Sequence, residues 1–458
     1  ALFLAACGQK STQEYLDSGK AKLDQNDMSA AIIEFKNAVK NDPNSAEARF
    51  LLGQAYLNNK QYEFAQKELE RALKYDYDAA QLLPLLSEAF QKTGADKALL
   101  SLSLAKSLSS DELAKIKFYQ VQAHLRLDQK DRAQVVISEI RQLTTDSPYK
   151  SLALVLDLLI KNEFEAARLQ LNKVLAEAPT NPDGLKIKAN LQLRDRNIEG
   201  AAETYQAYID AHPEDLETVF VLARLYNDTE QFDKSEPLLD RLLTVNDRHP
   251  VLNQLKAIAR MHAKDNKGAL EYAEKSLLED VENIPTRVLA GFSAYFLKKF
   301  DVANQHLSLV VSELPSSHPA LRMLADSQLK LGLTLDANET MQQFDRITEQ
   351  DVTLASGIGQ ALLRQGNIKQ ARQALEKQPA SVQSPRALAN VGLLKLSLND
   401  LDGILDLESS LERVKSTDQK IDPVAVEDVL VKAYLSTEQY DKAMAIAQNW
   451  KLSDTQRT

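Results

Sequence analysis

"EARFLLGQAYLNNKQYEFAQKELERALKYD", residues 47–76, decides how the chain folds. Two small residues, Gly53 and Ala65, and one bulky residue, Leu69, stand in it at positions that return along the chain at a step of 34. From Ala31 the step gives Ala65, Leu99, Ala133, Ala167, Ala201, Ser235, Ala269, Ala303, Ala337 and Ala371, nine alanines in eleven positions. From Gly19 it gives Gly53, Ser87, Val121, Val155, Ala189, Ala223, Ala257, Gly291, Ala325 and Gly359, nine small residues in eleven. A third ladder, from Phe35 through Leu69, Ile137, Leu171, Tyr205 and Leu307 to Leu375, is mostly large and apolar. Three ladders in one register without an insertion make the period a structural property of the chain.

Small residues on facing helix surfaces let backbones approach, and a bulky residue one turn on fills the flanking space. Pro43, Pro179, Pro213 and Pro315 fall at one place in their copies, where a helix must stop. This 34-residue unit resembles the tetratricopeptide repeat (TPR), a helix-turn-helix. In residues 47–76, Leu52, Gly53 and Tyr56 match the first-helix signature and Ala65, Leu69 and Ala72 the second, while Arg49 replaces the expected tryptophan. One such unit cannot bury its apolar face, so stability comes from stacking. The expected fold is all-α, a right-handed α-solenoid of about thirteen units. Residues 14–384 keep the register, and residues 385–452 read as degenerate units, with Tyr434, Tyr440 and Ala443 four residues out of phase. Residues 453–458 read as the start of a further helix. Copy three is expected to be distorted, since Leu99 and Ser103 break its ladders and Pro84 stands inside its first helix.

With 458 residues, the chain is several times the usual single-domain length, as a repeat array requires. A formal charge of −10 and a pI near 5.3 argue against general adhesion to nucleic acid or to an anionic membrane, since both need a basic face. Beyond residue 7 no apolar run reaches the length of a membrane helix. The six histidines are scattered and none forms a metal motif, "GIGQAL" at Gly357 lacks the third glycine of a dinucleotide loop, and no nucleophile elbow occurs. The chain therefore reads as a non-enzymatic protein needing no cofactor and no metal.

Its opening, "ALFLAACGQK", holds the only cysteine. Leu4-Ala5-Ala6-Cys7 is similar to the bacterial lipobox, in which the cysteine is acylated and becomes the first residue of the mature protein. Residues 1–6 then read as the remnant of a signal peptide and residues 7–13 as lipid anchor and tether. Several acyl chains would hold the protein on a membrane without spanning it. Gly8, in place of the aspartate of inner-membrane retention, resembles the outer-membrane class of such lipoproteins. With "AAIIEFKNAVK" and "NDPNSAEARFLLGQAYLNNKQYEFAQKELERALKYDYDAAQLLPLLSEAF", the lipobox resembles the TPR lipoprotein of the PEP-CTERM/exosortase system, most strongly over residues 7–92. That resemblance implies a role in envelope protein sorting and exopolysaccharide export, on the periplasmic side of the cell envelope. Two other roles share the fold: an adaptor holding an outer-membrane protein, and the repeat region of a larger enzyme.

A solenoid of this family binds partners along its first helices. The groove positions lie one, four and five residues after the small ladder. In copy nine they are Phe292, Tyr295 and Phe296, which would either receive an apolar anchor from an envelope protein or pack on the next repeat. Copy six offers Lys186, Asn190 and Arg194. Lys186 and Asn190 match the first two positions of a carboxylate clamp, but Val221, Val251 and Leu255 stand where the rest should be, which excludes a chaperone-tail receptor. In copy five "SLALVLDLLI" is apolar all round and would be buried, at a dimer surface or on an inward turn.

Overall fold

In a computed structural model, residues 10–379, 382–414 and 423–448 are described. Their twenty-six α-helices pair into thirteen helix-turn-helix copies, and no strand occurs among the described residues. Two compact units divide the chain, residues 1–222 and 223–458. Each is a stack of helix pairs in which a helix packs on its partner and on the next copy.

The ladders have the contacts the pattern demands. A Cβ built on Gly19 would stand 2.4 Å from the Phe35 ring, one on Gly53 2.7 Å from Leu69 Cγ, and one on Gly291 2.4 Å from a Leu307 methyl. In each pair the bulky residue of the second helix fills the place that a side chain on the first would need. Ala31, Ala65, Ala201, Ala303 and Ala371 have no exposed surface. In copy eleven the second helix is short, Ile368–Glu376, and the partner of Gly359 becomes Leu394 of the next copy.

Helix ends follow local chemistry. The first helix begins at Thr12, inside the stretch read as tether, because Ser11 and Glu14 close a capping box over its first turn. Ser45, Asn181 and Asn283 cap first helices in register. A fourth ladder lies in the turn between the two helices. Asn26, Lys60, Gly94, Asp128, Asn162, Arg196, Glu230, Lys264, Lys298, Gly332 and Gly366 are spaced by 34, and all have left-handed backbone, with φ between 55° and 78°.

Copy three is distorted as expected. Its first helix, Ala79–Thr93, runs through Pro84, and its second is cut to five residues, Asp96–Leu100. Leu99 remains fully buried, and the Gln120 side chain donates to its carbonyl at 3.2 Å. Arg49, at the tryptophan position, is buried and bonded to Glu68, and its Nε donates to the Pro43 carbonyl at 2.8 Å. The apolar helix of copy five, Pro148–Ile160, leaves no side chain exposed from Ser151 to Ile160, because copy four and its own second helix enclose it. The degenerate region still forms helix pairs, Pro385–Ser397 with Gly403–Val414 and Pro423–Ser436 with Tyr440–Ala447. Cys7, the residues before it and residues 453–458 lie outside the described residues. No helix among the described residues is long and apolar enough to cross a membrane.

Candidate partner-binding surfaces

In the first unit, the first helices of copies three to six, Ala79–Thr93, Ser110–Arg126, Pro148–Ile160 and Pro182–Arg194, share one face. That face holds an open recess lined mainly by lysines, tyrosines and carboxylates. Most of its charges are paired across copies. Lys115 Nζ lies 2.7 Å from Glu88 and Lys186 Nζ 2.8 Å from Asp215. Lys115 also sits over the Tyr119 and Tyr149 rings, and Lys186 over Tyr208. Across the mouth, Lys60 in the turn of copy two reaches Glu214, 154 positions further on, at 3.2 Å.

These contacts shape the acidities. Burial works against the charge of Asp215, but hydrogen bonds from Lys186 and the Tyr208 hydroxyl, with the amide of Thr218, hold its carboxyl far below the usual range. Tyr62 is pushed up to about 12, first by burial and then by Glu214 and Asp215. Asp183 has no ion-pair partner among the described residues and accepts from Gln122 Nε2 at 3.1 Å. Burial pushes its carboxyl up, against the pull of Gln122 and the nearby lysines. Lys92 is exposed and outside any ion pair with a described residue.

Gln91, Lys92, Asp183 and Lys186 form a waist that this recess shares with a second, wider one. Leu125, Leu156 and Ile187 give the second recess an apolar floor. Together they form a trough with a hydrogen-bonding end and an apolar end, suited to holding a chain segment and short of a reactive constellation. No cluster of three or more metal-ligating side chains occurs among the described residues.

The residues singled out from sequence fare unequally. Lys186 and Asn190 line the trough, but Lys186 is committed to Asp215, and Asn190 accepts a hydrogen bond from Tyr205 at 2.9 Å. Arg194 stacks on the Phe164 ring beside Asp195. In copy nine, Phe292 packs against Leu307, Ala320 and Leu324, and the Tyr295 hydroxyl donates to Asp326 of copy ten at 2.8 Å. Phe296 is 53% exposed. Copy nine is thus a repeat-to-repeat contact with one exposed ring. The groove rule itself, applied to copies three to six, selects twelve positions, of which eight, Glu88, Gln91, Lys92, Gln122, Leu125, Arg126, Leu156 and Asn190, line the trough and Leu159, Ile160, Leu193 and Arg194 do not. Lys115, Tyr149 and Asp183 lie six residues before the small ladder, on a rung the rule does not count, although they are themselves spaced by 34.

Two tetratricopeptide-repeat models match the sequence, one over residues 22–89 and 192–259 and the other over 152–215. No curated protein matches the chain in sequence. Among solved structures, that of the APC/C hetero-tetramer Cut9–Hcn1 is 15% identical, covering 96% of this chain and 94% of that one with a TM-score of 0.30. The Pseudomonas aeruginosa pilF structure is 15% identical, covering 48% of this chain and 99% of its own, with a TM-score of 0.37. Yeast Tom70 is 14% identical over 93% of this chain and 96% of its own, with a TM-score of 0.28. The matched repeat models agree with the 34-residue register carried by paired helices, and the chain carries tetratricopeptide repeats over residues 22–89 and 152–259.

Proposed function

We propose that this protein is a lipid-anchored, non-catalytic scaffold of the bacterial envelope that holds a partner protein in the trough of its first unit. Repeats of this family are protein–protein interaction scaffolds, so binding is the expected activity. One observation carries the partner site: four successive copies aim hydrogen-bonding side chains into one trough with an apolar end. Anchoring rests on the lipobox at Leu4–Cys7, and service to the PEP-CTERM/exosortase sorting and exopolysaccharide-export machinery rests on the resemblance of residues 7–92.

The trough is tested by placing a photo-crosslinking amino acid at Gln91 of the full chain, in a Gram-negative host that carries exosortase genes. A discrete envelope protein should be captured, and Lys92→Glu, which changes an exposed unpaired cation, should reduce capture several-fold. No adduct at Gln91, or capture unaffected by Lys92→Glu, would reject the trough. Mass spectrometry of the N-terminal peptide, beside a Cys7→Ser control, tests the anchor. An acylated Cys7 with residues 1–6 removed is expected, and an unmodified Cys7 would reject anchoring.

A further inference from the structure

The turns between paired helices are ordinarily polar, yet those of copies nine and ten in the second unit are not, and that of copy eleven carries one exposed isoleucine. Their sequences are Phe296-Leu-Lys-Lys-Phe-Asp301, Lys330-Leu-Gly-Leu-Thr-Leu-Asp336 and Arg364-Gln-Gly-Asn-Ile-Lys369. Phe296 is 53% exposed, Leu331 41%, Leu333 40%, Leu335 52% and Ile368 55%. In the first unit the exposed large apolar residues, Ile33, Phe64, Val135 and Leu169, come one to a copy.

Successive turns share one edge of the repeat stack, and the contacts join them. The Gln365 side chain donates to Thr334 Oγ1 at 3.1 Å, tying the turn of copy eleven to that of copy ten. Tyr295, packed edge-on against Phe296 and Phe300, reaches Asp326 of copy ten. Gly332 and Gly366 occupy the left-handed tips of their turns, so Leu331, Leu333 and Ile368 flank points where the chain presents no side chain.

Charge on this edge runs against the rest of the molecule. The three segments carry Lys298, Lys299, Lys330, Arg364 and Lys369 against Asp301 and Asp336, on a chain whose formal charge is −10. All five cations are exposed, and none is in an ion pair with a described residue.

We propose that the turn edge of copies nine to eleven docks on an anionic lipid surface. Protruding apolar tips ringed by long cationic side chains suit a bilayer interface, where leucine and phenylalanine enter the acyl boundary and lysine stems reach back to the headgroup phosphates. The residues stand at turn tips, so a flat, deformable partner fits them better than a protein ridge. The contact is separate from acylation of Cys7 and from the trough of the first unit, and it stands or falls without either.

The test uses the full chain with Cys7→Ser, which removes the anchoring thiol, and vesicle flotation. Vesicles of phosphatidylcholine with phosphatidylglycerol should retain at least about tenfold more protein than phosphatidylcholine alone, as several interfacial cations imply. The triple variant Leu331→Ser, Leu333→Ser, Leu335→Ser, with its helicity checked by circular dichroism, should lose retention by about tenfold or more. Lys298→Glu with Lys299→Glu and Arg364→Glu should erase the preference for the anionic lipid. No retention of the Cys7→Ser chain, or equal retention of the leucine variant, overturns the proposal. So does a concentration-dependent dimer that the leucine variant abolishes without any vesicle binding, which would assign the edge to a second copy of the chain.

Discussion

Replacing Gly53 with alanine sets two effects of one methyl group against each other. Alanine favours the helix over glycine by about 0.5–1 kcal/mol, so an exposed site would be stabilised. At Gly53 the added Cβ would lie 2.7 Å from Leu69 Cγ, 3.0 Å from Cδ2 and 3.2 Å from the Leu69 backbone nitrogen. Carbon pairs are comfortable at about 3.5–4.0 Å, so the crossing must open by roughly 0.8 Å or Leu69 must leave its place. Leu69 has no exposed surface, and a backbone atom stands behind it, so neither adjustment is easy. Overpacking of this kind costs about 1–3 kcal/mol, which outweighs the propensity gain and leaves a loss of about 1–2 kcal/mol. In an array whose copies interact only with neighbours, a global melting midpoint dilutes such a change. Hydrogen exchange of the peptides spanning residues 47–76 reads it locally, and should accelerate by a factor of about 5–30 while copies in the second unit are unaffected. Adding Leu69→Val should recover part of the loss, since residues in contact are coupled by about 0.5–3 kcal/mol. Unchanged or slower exchange in Gly53→Ala would mean that propensity governs the site, and the reading of the small ladder as a helix crossing would fail.

Three further outcomes are expected. Glu68→Ala strands the buried Arg49 guanidinium and should cost about 3–5 kcal/mol by local exchange in copy two, whereas Arg49→Trp with Glu68→Leu, which removes both charges, should cost much less. Asp183 holds its proton more tightly folded than unfolded, so its ionisation opposes folding and the stability it takes away grows as pH rises through its raised pKa. Asp183→Asn should therefore raise the melting midpoint of the first unit at pH 7, with the gain fading as pH falls towards 4; a constant gain would point to hydrogen bonding instead. Glu230→Gly, at a left-handed turn position with φ 57°, should stabilise copy seven by up to about 1 kcal/mol, and a loss of stability by denaturant titration would mean that the glutamate makes a compensating contact.

Much of the fold was legible because a repeat writes the same contact many times. Gly19 with Phe35, Gly53 with Leu69 and Gly291 with Leu307 are one crossing seen thrice, and any of them locates the others. The left-handed turn ladder is equally regular but poorly legible in sequence, since only Gly94, Gly332 and Gly366 advertise it. Asn, Asp, Lys, Arg and Glu fill the other rungs, and those residue types are common on any helix surface. The trough was half legible. Part of its lining follows from the groove rule, but the rule misses Lys115, Tyr149 and Asp183 and cannot say which copies curve their faces around a common space. That depends on contacts such as Lys60 with Glu214, made across 154 positions of sequence, which no local pattern encodes. Aromatic residues drew attention to copy nine, where Phe292 and Tyr295 serve the stacking of repeats.

The Lys60–Glu214 contact also changes what kind of object the first unit is. A linear stack passes strain only from neighbour to neighbour, and a weak link such as copy three, with its five-residue second helix, would isolate whatever lies before it. A tie between copy two and the segment beyond copy six gives the stack a second route around that link. Both partners are partly exposed to water, so the tie is worth at most about 1 kcal/mol and weakens as salt screens it. The first unit is then closed by a clasp that ionic strength tunes: its tie is favoured a few-fold in dilute buffer and loosened in concentrated salt.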